Sequence, residues 1–260
     1  MTAHSPTDRS FPVHALPGGV WRRECVAEVK RSWRLPQFLL PTIVTPGAFY
    51  GLFTLALARD PTPASVAAGL AGYGVFAAIG PALFGFGAGI AMEREQGLIE
   101  LKRVSPMPTG AFLAAKLTAA LVATALALAL IYALGIVGGA ALRPAQWLLL
   151  ALVHLGTTVP FALIGFGIGM RMGGKGTVAI ANALFLGSAV IGGLWIPSRL
   201  LPGWMRALGE ATPAYHLGQL AQAVAGGDPL GNTMVHAAIL IVMTALAAAW
   251  AWTGWRRSPA

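Results

Sequence analysis

Six apolar stretches, at residues 37–58, 64–92, 111–141, 145–170, 177–196 and 230–253, limit what this chain can fold into. A helix needs about 20 mostly apolar residues to cross a bilayer, and each stretch meets that length. The second and third exceed it, so they are expected to tilt or to project beyond the lipid. Composition agrees. The chain is 56% hydrophobic and only 10% charged, with a mean hydropathy of +0.69. Soluble domains carry about 25% charged residues, so a soluble domain and a disordered chain are both excluded. A single cysteine, Cys25, excludes a disulfide scaffold. The expected fold class is all-α: an integral membrane protein with six transmembrane helices within residues 37–255.

The basic excess fits membrane topology. Eighteen Lys and Arg face nine Asp and Glu, for a net charge of +9. Nucleic acid is disfavoured as a partner, because no continuous basic helix or aromatic-interleaved groove is present. With the N-terminus in the cytosol, fourteen of the eighteen basic residues fall on the cytosolic side. Only Arg59, Arg143, Arg199 and Arg206 fall outside, the separation expected of an even number of spans with both termini cytoplasmic. The first 36 residues are polar and basic, so a cleavable signal peptide is not expected and the first span reads as an uncleaved anchor. Trp250, Trp252 and Trp255, followed by Arg256 and Arg257, resemble an interfacial aromatic belt with a basic stop.

The segments between the spans carry the remaining signals. After a tail at 1–18, residues 19–36 are too polar to span. Val20, Trp21, Val26, Val29 and Trp33 share much of one helical face, while Arg22, Arg23, Glu28, Lys30 and Arg31 lie largely elsewhere. That pattern predicts an interfacial helix on the cytosolic side, either a simple anchor or a moving element that touches a partner. The second connection, 93–108, holds three of the nine acids, Glu93, Glu95 and Glu100. Its apolar residues Leu98, Ile99, Leu101 and Val104 fit a short helix with one exposed greasy side ringed by charge, a docking knob rather than a plain solvated loop. The exterior segment 197–226 is punctuated by Pro197, Pro202 and Pro213, which predicts two short amphipathic helices dipping into the outer leaflet. The second and fourth stretches both end in small-residue stripes, Gly85, Gly87, Gly89 and Gly165, Gly167, Gly169, expected to pack helices closely.

Catalytic signals are weak. The run from Gly169 to Gly176 nearly matches a phosphate-binding loop, but Gly176 stands where the pattern needs Ser or Thr after Lys175. No acid falls inside a predicted span, which argues against a proton- or sodium-driven carrier. Lys116 is expected to snorkel from a cytosolic end. His154 and Asn182 are in-span polar residues, open to a helix–helix bond or a place on a substrate pathway. Ser188 and His236 allow an intramembrane serine hydrolase as a reading of another class, although no G-x-S-x-G turn surrounds Ser188.

Three stretches, taken in order, carry a family resemblance. They are Glu93-Arg94-Glu95-Gln96-Gly97-Leu98-Ile99-Glu100-Leu101 with Ser105-Pro106 and Ala115-Lys116-Leu117; Asn182 through Gly193-Leu194-Trp195-Ile196-Pro197 with Leu200-Leu201-Pro202-Gly203-Trp204; and Thr212-Pro213-Ala214-Tyr215-His216. The sequence resembles the membrane subunit of ABC-2-type transporters across residues 19–255. Leu98 departs from it, standing where the family often has Thr.

The resemblance implies a permease of an ATP-driven exporter in a bacterial inner membrane. It implies two copies of a separate ABC ATPase that uses ATP and Mg, no cofactor in this chain, and a second permease copy or homologue. Glu93, Arg94, Glu95, Gly97, Leu98, Ile99, Glu100, Leu101, Arg103 and Pro106 would form the ATPase-coupling segment. Trp21, Arg22, Arg23, Glu28, Arg31 and Trp33 would belong to a gate helix, and His154 and Asn182 to a possible pathway. The spans are mostly Ala, Leu, Val and Gly with four Tyr in the chain, which favours an amphipathic drug, lipid or peptide substrate. A polysaccharide or lipid-linked glycan is the alternative cargo, and a non-transporting membrane scaffold the alternative role.

Overall fold

A computed structural model of the chain describes residues 17–33, 36–104 and 108–257. Among these residues the regular structure is entirely helical. Five helices are long and apolar enough to cross a membrane: Pro63–Glu95, Thr109–Val137, Pro144–Gly169, Gly174–Ile191 and Thr233–Arg257.

The stretch expected as the first span is shorter than expected. Helix α1 (Pro17–Trp33) leads into α2 (Pro36–Tyr50), which continues as a π-helical turn, Gly51–Ala56. Its apolar part, Leu40–Ala56, stays below spanning length. Pro41 and Pro46 lie inside α2. Each lacks the N–H that would bond one turn back, so the helix is loosened where a continuous span was anticipated.

The second span is the centre of the molecule. Helix α3 (Pro63–Ala82) begins at a capping box: the Ser65 N–H donates to Thr62 Oγ1 at 3.1 Å, and the Thr62 N–H to Ser65 Oγ at 3.0 Å. From Leu70 to Leu83 every residue is buried. Pro81 near its end coincides with a switch to a π-helical stretch, Leu83–Ala88, before α4 (Gly89–Glu95) completes the rod. Around α3 stand α2, α6 (Thr109–Val137), α7 (Pro144–Gly169) and α10 (Pro213–Val224). The two small-residue stripes meet as expected: a Cβ on Gly169 would lie 2.5 Å from the carbonyl oxygen of Gly87. Helix α11 (Thr233–Arg257) packs at the rim on α7 and α10, with most of its surface outward.

The fifth span, α8 (Gly174–Ile191), stops five residues before the predicted 196. Gly192 caps it, and Gly193 takes φ +71°, a left-handed conformation that costs glycine little. Leu194 and Trp195 then fold back onto the bundle, and the Trp195 ring packs edge-on against Phe49 and Phe76 at 4.9 and 5.2 Å. These residues are apolar because they seal the core, not because they continue a span. Beyond them come α9 (Gly203–Glu210) and α10, opened by Pro202 and Pro213, as the proline pattern predicts.

Candidate functional site

The connection between α4 and α6 holds the densest chemistry, and the structure divides it into two halves. Residues 93–95 fasten neighbouring helices, Glu93 from a buried position and Glu95 from an exposed one. Residues 98–104 form α5 (Leu98–Val104), a short helix reached through the Gln96-Gly97 turn.

Glu93 is 1% exposed in the last turn of α4, one residue beyond the stretch predicted as the second span. Its Oε1 accepts from Lys116 Nζ at 2.6 Å and from Arg31 Nη1. Lys116 also donates to Glu28 Oε1 at 2.5 Å. Lys116 therefore does not snorkel. It is 5% exposed and shared between two carboxylates, a geometry that keeps a buried cation compensated. Glu93 Oε2 is buried with no hydrogen-bond partner. The cluster borders a cavity of about 280 Å³ walled by Phe84, Gly85, Ala120 and Ala123.

This cluster also sets the facing of α1. Glu28 turns in toward α6, while Trp21, Val26 and Trp33 are 39%, 46% and 55% exposed. Periodicity identifies two faces but not which of them meets protein. Here Lys116 holds the acidic face, leaving the aromatic face outward, where lipid is a favourable solvent. Arg22 and Arg23 are exposed, and Trp21 lies over Gly110 at the start of α6.

Arg94 and Glu95 fasten the connection between α7 and α8. Arg94 donates to the Met170 carbonyl, and to that of Met172 at 2.9 Å. Glu95 Oε1 accepts from the Gly174 N–H at 2.9 Å. A cation thus meets the carbonyl end of one helix and an anion the N–H end of the next. The segment that nearly matches a phosphate loop therefore has its helix start engaged by Glu95.

On α5, Ile99 is fully buried, so the predicted four-residue greasy face loses one member. Leu98 is half-buried, Leu101 is 64% exposed and Val104 is 82% exposed; together they form a stripe spaced by three. Glu100 is half-buried, with an unpartnered Oε2. Pro106 and the Arg103 side chain lie outside the described residues.

His154 is fully buried, accepting from Tyr132 Oη at Nδ1 (3.0 Å) and donating from Nε2 to the Ala71 carbonyl (3.1 Å). It ties α7 to α6 and α3. Asn182 is on the outer surface of α8 and donates to the Val178 carbonyl at 3.0 Å. The hydrolase reading fails on geometry. Both His236 nitrogens are engaged, by His216 and by the Leu230 carbonyl, so neither is turned to Ser188. Sequence reading missed Lys116 as an anchor. The signal was present: it is a lone cation in a long apolar helix.

Helices long enough to cross a membrane, fastened at one end by buried charge, define a multi-pass membrane protein. The sequence model of the family described as ABC-2 type transporter matches residues 22–225, and the chain belongs to that family. It is 31% identical over 214 residues to a protein of Bacillus subtilis (strain 168) named "Putative transport permease YvfS". That match covers 81% of this chain and 87% of the relative. The chain is a transport permease subunit, and the family implies an ABC transporter with an ATPase partner.

Proposed function

We propose that this chain is the membrane half of an ATP-driven exporter in a bacterial inner membrane. It acts with two separate ATPase chains, which use ATP and Mg, and with a second permease copy. Six membrane passages, the first made by α2, would leave both termini cytoplasmic, with α1 in the cytosolic interface and α9 and α10 dipping into the outer leaflet. The cargo is an amphipathic drug, lipid or peptide.

The observation that carries this reading is the stripe of half-buried Leu98 and exposed Leu101 and Val104 on α5, directly after a segment tied to α1, α6, α7 and α8. Exposed apolar residues ringed by charge suit a groove on the ATPase. Rim ion pairs contribute about 0–1 kcal/mol each, whereas burying one Leu contributes about 1.5–3 kcal/mol. Leu101→Asp should therefore abolish capture of the partner ATPase, and export with it, while membrane insertion is unchanged. Glu100→Gln should act more mildly. Normal capture and export by Leu101→Asp would show α5 to be a plain solvated turn.

A further inference from the structure

A second feature lies on the outer surface, away from the charge cluster. Helices α6, α7 and α11 enclose a groove of about 310 Å³, lined by Leu113 and Leu117, Val159 and Phe166, and Ala248 and Trp252. Its lining is almost wholly apolar, and Leu113, Val159 and Trp252 are 36%, 42% and 58% exposed. On α11 the lining residues Ala248, Ala251, Trp252 and Trp255 recur at helical spacing, so the groove extends roughly 11 Å along that helix.

One end of the groove is cationic. The Arg256 guanidinium lies 5.9 Å from the Trp252 ring centroid, and Arg257 follows on the same turn. Thr109, the first residue of α6, lines the groove, so the positive end of that helix is at the same margin. Among the described lining residues there is no acid.

We infer that this groove is a specific site for one anionic phospholipid, its acyl chain along α11 and its phosphate at Arg256. Apolar length with cations at one end is the pattern of an acidic lipid, and basic pockets between membrane helices bind such headgroups. Free phosphate would leave the apolar length unused. A zwitterionic lipid would bring an ammonium to the arginines.

The test uses the full chain purified with mixed lipid and stripped gradually, with retained lipid counted by native mass spectrometry. Phosphatidylglycerol should persist at one molecule per chain after phosphatidylcholine is lost. Arg256→Gln combined with Arg257→Gln should lower its retention at least tenfold, without changing the melting temperature measured in phosphatidylcholine alone. Ala248→Trp should fill the groove from its exposed side and lower retention similarly. Inorganic phosphate should not compete. Equal retention of both lipids, or undiminished phosphatidylglycerol in the double-arginine variant, would overturn the site. So would a dimer that Ala248→Trp dissociates irrespective of lipid, because a second copy would then cover the groove.

Discussion

His216 and His236 face each other Nδ1 to Nδ1 at 2.9 Å. Each turns its Nε2 to a backbone carbonyl, His216 to Glu210 at 2.9 Å and His236 to Leu230 at 2.5 Å. The Nδ1 contact needs a hydrogen on one ring and a lone pair on the other. The pair joins α10 to α11. Hydrogen on both Nδ1 atoms would break the contact.

A pH dependence follows from that geometry. Burial holds His216 below its usual value; the neighbouring His236 pushes the same way, and the carbonyl and charge of Glu210 oppose it. With the folded value depressed, the unfolded chain takes up more protons as pH falls. Stability from this contact should be complete above about pH 6.5 and decline as pH drops below it toward the folded value. Thermal unfolding in nanodiscs at pH 7.5 and pH 5 should show the decline, and His216→Gln should flatten it. An unchanged pH slope in that variant would refute the pairing.

Removing Lys116 should be costly. Lys116→Met leaves Glu28 and Glu93 facing each other with only the half-exposed Arg31 near. Breaking a buried ion pair from one side costs about 3–5 kcal/mol. Replacing all three, Lys116→Met with Glu28→Gln and Glu93→Gln, should recover most of that loss in the unfolding midpoint. Further loss in the triple variant would argue against charge as the cause.

The glycine stripe gives a matched pair of substitutions within α7. Gly169→Ala drives a methyl against the Gly87 carbonyl oxygen and should cost about 1–3 kcal/mol. Gly156→Ala meets nothing within 4 Å and should stabilise by about 0.5–1 kcal/mol through helix propensity. Equal effects at the two sites would show that close helix approach does not decide the stripe.

Orientation can be read chemically. In a Cys25→Ser background, Gln96→Cys and Asp228→Cys place thiols at exposed positions on opposite sides of the proposed topology. A membrane-impermeant maleimide added to intact cells should label 228 and spare 96. The reverse pattern would invert the protein.

The long helices were legible because apolar length is a local property of the chain. The end of α8 was not, since Leu194 and Trp195 are equally apolar whether they continue a span or fold back onto Phe49 and Phe76. The charged connection at 93–108 was recognisable by composition, but its division was hidden. Nothing local distinguishes Glu93, which meets Lys116, from Glu100, which does not. Similarly, the two faces of α1 were visible, yet which one meets protein depended on a lysine 88 residues further along.

Arg94 and Glu95 are adjacent, yet they grip opposite ends of the same connection, the carbonyls just past α7 and the first N–H of α8. The two long helices are thus clamped to one dipeptide at the root of α5. A load that moves Arg94 and Glu95 pulls on both helices together. It cannot part α7 from α8 without rupturing those bonds, so the stiffness of the clamp, rather than any hinge within it, sets how far a nudge at the tip travels into the bundle.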